Sequence, residues 1–183
     1  MLRAKTYWLV CVASIAVAFL CFKLFIWRPN KLNYVEGDQI KVIDGDSVKI
    51  GKKRFRLHGI DAPESNQMCT DKAGKEWACG VVAGKFLETL FRGKSIYYKI
   101  YDIDIYHRKI AEFFDPNDTS INQQMVESGL AVAYRKFSKD YINHEDIARS
   151  KKIGIWAGPF TEPFKYRQQI KRDQKRKSRK ITK

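Results

Sequence analysis

The sequence predicts an α+β fold, a small barrel of five short strands with three helices, preceded by one apolar N-terminal segment. Three observations predict it. Short β-forming runs rich in Val, Ile, Phe and Tyr recur between turn residues across 39–57, 95–101 and 108–114. Three stretches, 76–91, 121–128 and 141–152, read as helices bounded by glycines or capping residues. Residues 7–27 form a run of 21 positions whose only charge is Lys23.

That run spans roughly 31 Å as a helix, enough to cross a hydrocarbon core. Lys23 lies near its end, where the ammonium can snorkel to the headgroups, and Trp8 and Trp27 sit at the expected interfaces. Residues 1–28 therefore read as a transmembrane anchor. Ala16-Val17-Ala18 also resembles a cleavage site, so a removed signal peptide is the competing reading. Cys11 and Cys21 read as inert fillers of the apolar run.

Residues 29–38 are expected to be a linker, with Pro29 and Gly37. The domain proper is placed at 39–160. Ile40, Val42, Val48 and Ile50 flank an Asp44-Gly45-Asp46 bend, a Gly51-Lys52-Lys53 turn follows, and 54–57 returns as a strand. Pro63 breaks it. Trp77, Val81, Phe86, Leu87 and Leu90 form the apolar stripe of the first helix, which Gly93 ends. Strands at 95–101 and 108–114 follow. Ser120 caps the second helix and Gly129 stops it; the third runs 141–152. Trp77 and Trp156 read as core residues.

The net charge of +15 over 183 residues is unevenly placed. Residues 165–183 hold ten Lys/Arg against one acid, Asp173, whereas 29–164 are nearly balanced at +2. Residues 161–183 thus form a basic tail, either a solvated end or a surface for polyanions such as nucleic acid or acidic lipid. Cys69 and Cys79 stand ten positions apart. A disulfide would close a short loop, stabilise it by roughly 2–3 kcal/mol and place the domain in an oxidising compartment. Two reduced thiols in a cytosolic domain are the alternative. The spacing lacks the paired short intervals of zinc motifs.

The chemistry concentrates between 44 and 108. Asp44, Asp46, Asp61 and Glu64 flank strand ends that a hairpin brings together, and all-oxygen ligation suits calcium or magnesium. Arg56 and Arg108 can clamp a phosphate. The segments Ile43-Asp44-Gly45-Asp46-Ser47-Val48, Phe55-Arg56-Leu57, Ile60-Asp61-Ala62-Pro63-Glu64, Asp104-Ile105-Tyr106-His107-Arg108 and Glu127-Ser128-Gly129-Leu130-Ala131 occur in one order. Together they resemble the staphylococcal nuclease (thermonuclease) family, from about Lys41 to Trp156.

The resemblance implies an OB-fold-like five-stranded barrel with three helices, and Ca2+-dependent hydrolysis of DNA and RNA. It implies that Asp46, Asp61 and the backbone carbonyl of Ala62 hold the metal. Glu64 would act on the attacking water, and Arg56 and Arg108 would hold the phosphate. Tyr106 and Tyr134 would contact phosphate or base, with Asp44 and Ser47 in support. Ile105 stands where the family usually has a basic residue, and His107 where it usually has glycine; a positive φ there would strain the turn.

The expected protein is a monomeric, low-specificity endonuclease anchored in the membrane with its domain extracytoplasmic, or secreted if the segment is cleaved. No protein partner is indicated. The alternative is a non-catalytic OB-fold module that binds nucleic acid or glycan. A third reading places the domain in the cytosol with its tail on anionic lipid.

Overall fold

The computed structural model describes residues 32–181. The expected transmembrane or signal segment at 1–28 lies outside the described residues. Among the described residues no helix is long and apolar enough to cross a membrane.

Six strands build one curled, OB-fold-like sheet. They are β1 (Asn33–Glu36), β2 (Ile40–Asp44), β3 (Ser47–Ile50), β4 (Lys53–Leu57), β8 (Ser95–Ile103) and β9 (Lys109–Phe114), in the order β1-β8-β9-β4-β3-β2. Short pairs lie outside it: β5 (Ile60–Asp61) with β10 (Val132–Ala133), and β6 (Cys69–Thr70) with β7 (Glu76–Trp77). Four helices complete the domain: α1 (Cys79–Phe91), α2 (Ile121–Glu127), α3 (Ile142–Ser150) and α4 (Pro163–Ile181).

The expected barrel of five strands and three helices is thus short by one of each. The extra strand, β1, falls inside the expected linker. Its Val35 is buried and lies opposite Ile96, so a short polar stretch earns its place through one apolar side chain and a ladder to β8. The extra helix, α4, occupies the basic tail, with Pro163 at its first position, where a missing N–H costs nothing. The first helix begins at Cys79 because Glu76 and Trp77 pair with Thr70 and Cys69 instead. Ser120 does cap α2, its hydroxyl accepting the Gln123 N–H at 3.2 Å.

The core lies between the concave sheet face and α1 and α2. Phe55, Phe91 and Phe113 are fully buried, with Phe113 edge-on to Phe55 at 6.0 Å and to Phe91 at 5.5 Å. Helix α1 also packs on the Asp44–Asp46 bend. A Cβ on Gly45 would stand 2.7 Å from the Ala62 Cβ and 2.8 Å from the Ala83 Cβ, so only glycine lets helix, bend and β5 meet. Cys69 and Cys79 form a disulfide, Cα to Cα 5.6 Å. It ties the loop after Glu64 to the first turn of α1, in a small cluster with Ile155.

Candidate active site

The site is assembled at the ends of β2, β3, β4 and β5. The tight β2–β3 connection turns Asp46 inward, and the Asp46 N–H donates to Asp44 Oδ1 at 3.0 Å. Asp46 and Asp61 are both buried. Asp46 Oδ1 accepts from Ser47 Oγ at 3.0 Å and Arg56 Nη1 at 2.8 Å, while Oδ2 accepts the Ala62 N–H at 3.0 Å. Arg56 Nη2 donates to Asp61 Oδ1 at 2.6 Å. One guanidinium therefore bridges the two buried carboxylates, and burial has a physical answer in charge pairing.

The fields inside this cluster are opposed. Burial first, then the neighbouring Asp46, pushes the Asp44 carboxyl up to about 6. Burial and Asp46 likewise push Asp61 upward, against the pull of Arg167 and Arg56. Burial works against the charge on Arg56, yet Asp46 and Asp61 hold that guanidinium above its ordinary value.

Glu64 sits at the rim, partly exposed. Its backbone is fixed from two sides. Its N–H donates to Gln67 Oε1 at 3.2 Å, and its carbonyl accepts the Gln67 N–H at 2.7 Å. Gly80, in the first turn of α1, lies directly against the Glu64 carbonyl, where any Cβ would collide with it.

The second arginine lies in the turn just before the neighbouring strand β9. Arg56 pairs with Ile110 in the parallel β4–β9 ladder, and Arg108 stands two residues before Ile110, at the entry to β9. Asp104 holds it: Oδ2 accepts from Arg108 Nε at 2.8 Å, and Oδ1 accepts the Tyr106 and Arg108 N–H groups at 2.9 Å. Burial opposes ionisation of Asp104, but these Arg108 contacts hold its carboxyl below the usual range. His107 has φ 59°, the left-handed conformation that suits glycine. Ile105 points out, 86% exposed. The Tyr106 ring lies 5.6 Å from the Arg108 guanidinium carbon, and the Tyr134 ring 6.0 Å from that of Arg56. Each tyrosine thus flanks one arginine.

Among the described residues, no group of three or more His, Cys, Asp or Glu converges as a metal cluster. The donor set is nonetheless all oxygen, and its buried charge requires a cation; here guanidinium groups supply it. Besides Arg56, Arg167 of α4 donates through Nη2 to Asp61 Oδ1 at 2.8 Å and Oδ2 at 2.9 Å. Its Nη1 donates to Glu64 Oε1 at 2.7 Å. The chemistry of the acids fits a hard divalent ion in place of one of these cations.

A model of the staphylococcal nuclease homologue family matches residues 54–158. The chain belongs to the staphylococcal nuclease family. It is 29% identical to a micrococcal nuclease of Shigella flexneri over 152 residues, covering 74% of this chain and 82% of that one. It is 28% identical to an uncharacterized endonuclease of Escherichia coli O157:H7 over 140 residues, 73% and 84% of the two chains. It is 32% identical to the succinoglycan biosynthesis protein ExoI of Rhizobium meliloti over 120 residues, 64% of this chain but 63% of that one.

The nuclease-family match takes in Arg56, Asp61, Ala62, Glu64, Arg108 and Tyr134. The Asp44–Asp46 bend precedes it and Arg167 follows it. Three contributors escaped the sequence reading: Gln67, Gly80 and Arg167. Gln67, fully buried three residues after Glu64, had a signal in its spacing alone. Arg167 had none, because ten Lys/Arg crowd the tail.

Proposed function

We propose that this chain is a calcium-dependent nuclease that hydrolyses phosphodiester bonds of DNA and RNA with little sequence preference. The observation that carries it is the union of a buried, all-oxygen carboxylate pair, Asp46 and Asp61, with Arg56 between them and Glu64 on the rim. Asp46, Asp61 and the Ala62 carbonyl would hold Ca2+, which when bound supplies Lewis-acid stabilisation of a phosphate oxygen. Glu64 orients or deprotonates the attacking water. Arg56 and Arg108 offer guanidinium N–H groups to the charge that develops on the phosphorus oxygens. Tyr106 and Tyr134 offer rings for bases to stack on, which tolerates any sequence.

The Cys69–Cys79 disulfide supports an extracytoplasmic domain, held by residues 1–28 or secreted after their removal. The exposed cations of α4, among them Lys171, Arg172, Lys175 and Arg176, would gather nucleic acid. One observation favours a second reading, a module that binds nucleic acid without cleaving it: Arg167 covers Glu64 and Asp61.

Hydrolysis of single-stranded DNA by the full chain, in calcium and in chelator, separates the two. Cleavage only in calcium is expected, with Glu64→Gln slowing turnover by about 10²–10⁴-fold, the scale of lost general-base catalysis, while DNA binding stays within a few-fold. Undiminished DNA binding with no cleavage in calcium would leave the binding module.

A further inference from the structure

Arg167 is delivered to the carboxylates by a built path. Gly158 packs against the Thr70 carbonyl, where a Cβ would collide, and the Thr70 N–H donates to the Pro159 carbonyl at 3.1 Å. Gln67 Nε2 donates to the Thr161 carbonyl at 2.6 Å, and Pro163 is buried. Tyr166 Oη donates to the Asn66 carbonyl at 3.3 Å, and Phe164 faces Tyr134 at 6.4 Å. The approach to α4 and its start are thus seated on residues 66–71, which the Cys69–Cys79 disulfide ties to α1, and one turn later Arg167 reaches Asp61 and Glu64.

We propose that α4 is an autoinhibitory strap whose Arg167 guanidinium competes with the divalent cation for Asp61 and at the same time engages the water-handling Glu64. The proposal rests on the calcium reading above. Arg167 engages both oxygens of Asp61, the more deeply buried carboxylate, and one oxygen of Glu64. A guanidinium spread over those three oxygens takes one oxygen of Glu64 away from water. It also places a fixed positive charge where a second cation would be repelled. Arg56 does not play this part: it sits between Asp46 and Asp61 and bonds those two carboxylates, so it can remain when a cation arrives. The contact reaches 103 residues along the chain, from outside the segment matched to the family.

Competition is reciprocal: whatever docking of Arg167 costs the cation, the cation costs docking. Calcium titration calorimetry on the full chain in neutral detergent tests the first half. Arg167→Ala should bind calcium more tightly than the parent by between about 5- and 150-fold, the usual span of such coupling. Arg172→Ala, the same charge change farther along the same helix, should leave the constant within twofold. Equal or weaker binding by Arg167→Ala overturns the strap, as does equal tightening by Arg172→Ala, which would reduce the effect to net charge. Amide exchange on the unmodified chain tests the second half and needs no variant to fold. Saturating calcium should speed exchange across 163–170, and unchanged exchange with calcium bound overturns the proposal. If neither parent nor Arg167→Ala takes up calcium, the calcium reading itself falls and carries the strap with it.

Discussion

Arg56 and Arg108 are held by carboxylates in opposite ways. Arg56 draws its partners from two other elements, Asp46 ten residues back and Asp61 five ahead, with carboxylates 4% and 1% exposed. Arg108 takes its partner from its own turn, Asp104 four residues back and 19% exposed. A long-range buried pair welds the guanidinium to the fold, and its loss leaves charges stranded in low dielectric. A local pair aims a side chain while staying separable from the core. The same residue type is therefore riveted into the fold in one place and only aimed by its own turn in the other.

Truncation is the strongest way to break that comparison. In chelator, Arg56→Ala should lose about 3 kcal/mol of stability by urea unfolding, the low end for a broken buried pair because Arg167 stays on Asp61. Arg108→Ala should lose less than about 1 kcal/mol. Both should slow DNA cleavage by about 10²–10³-fold, as a lost preorganised donor does. Equal stability losses would erase the distinction between the two turns.

How much of this was legible in the sequence follows the same divide. The Asp104–Arg108 turn is local, so its residues stand together in the sequence, and His107 marked itself as the residue where the resembled family usually has glycine. The hairpin around Asp44-Gly45-Asp46 and the capped helix at Ser120 were legible for the same reason. What escaped depends on contacts between distant segments. β1 exists because Val35 meets Ile96 across the sheet, although its sequence reads as linker. Gly80 matters because α1 presses on the Glu64 carbonyl, and Gln67 because it bonds both Glu64 and Thr161. Arg167 is chemically identical to its basic neighbours and distinguished only by where one helical turn places it.

A smaller test probes the strain stored on the buried side. The Asp44 carboxyl titrates at about 6 in the folded chain against 3.8 ordinarily. The folded state therefore binds the extra proton between those values. Stability is higher below the unfolded value and falls as pH rises through the folded one. Asp44→Asn can still accept the Asp46 N–H but carries no charge. In chelator it should be more stable than the parent at pH 8 by on the order of 1–3 kcal/mol, with the gain gone at pH 4. Urea unfolding at the two pH values reads this directly. A gain of the same size at both would assign it to packing instead of charge.

The smallest effect sharpens the exposed side. His107 holds φ 59° while its N–H donates to the Asp104 carbonyl at 2.9 Å, so the turn is kept by the bonds around it. A left-handed conformation costs an ordinary residue roughly 1–2 kcal/mol and glycine little, though glycine loses more entropy on folding. His107→Gly should therefore stabilise by only about 0.5–1 kcal/mol. His107→Val, β-branched and poorly suited to this region, should cost about 1 kcal/mol or more. Because Asp104 grips Arg108 through its own turn, His107→Gly should leave DNA affinity within a few-fold. A fall in affinity alongside a gain in stability would show that the strained histidine, and not Asp104 alone, aims the arginine.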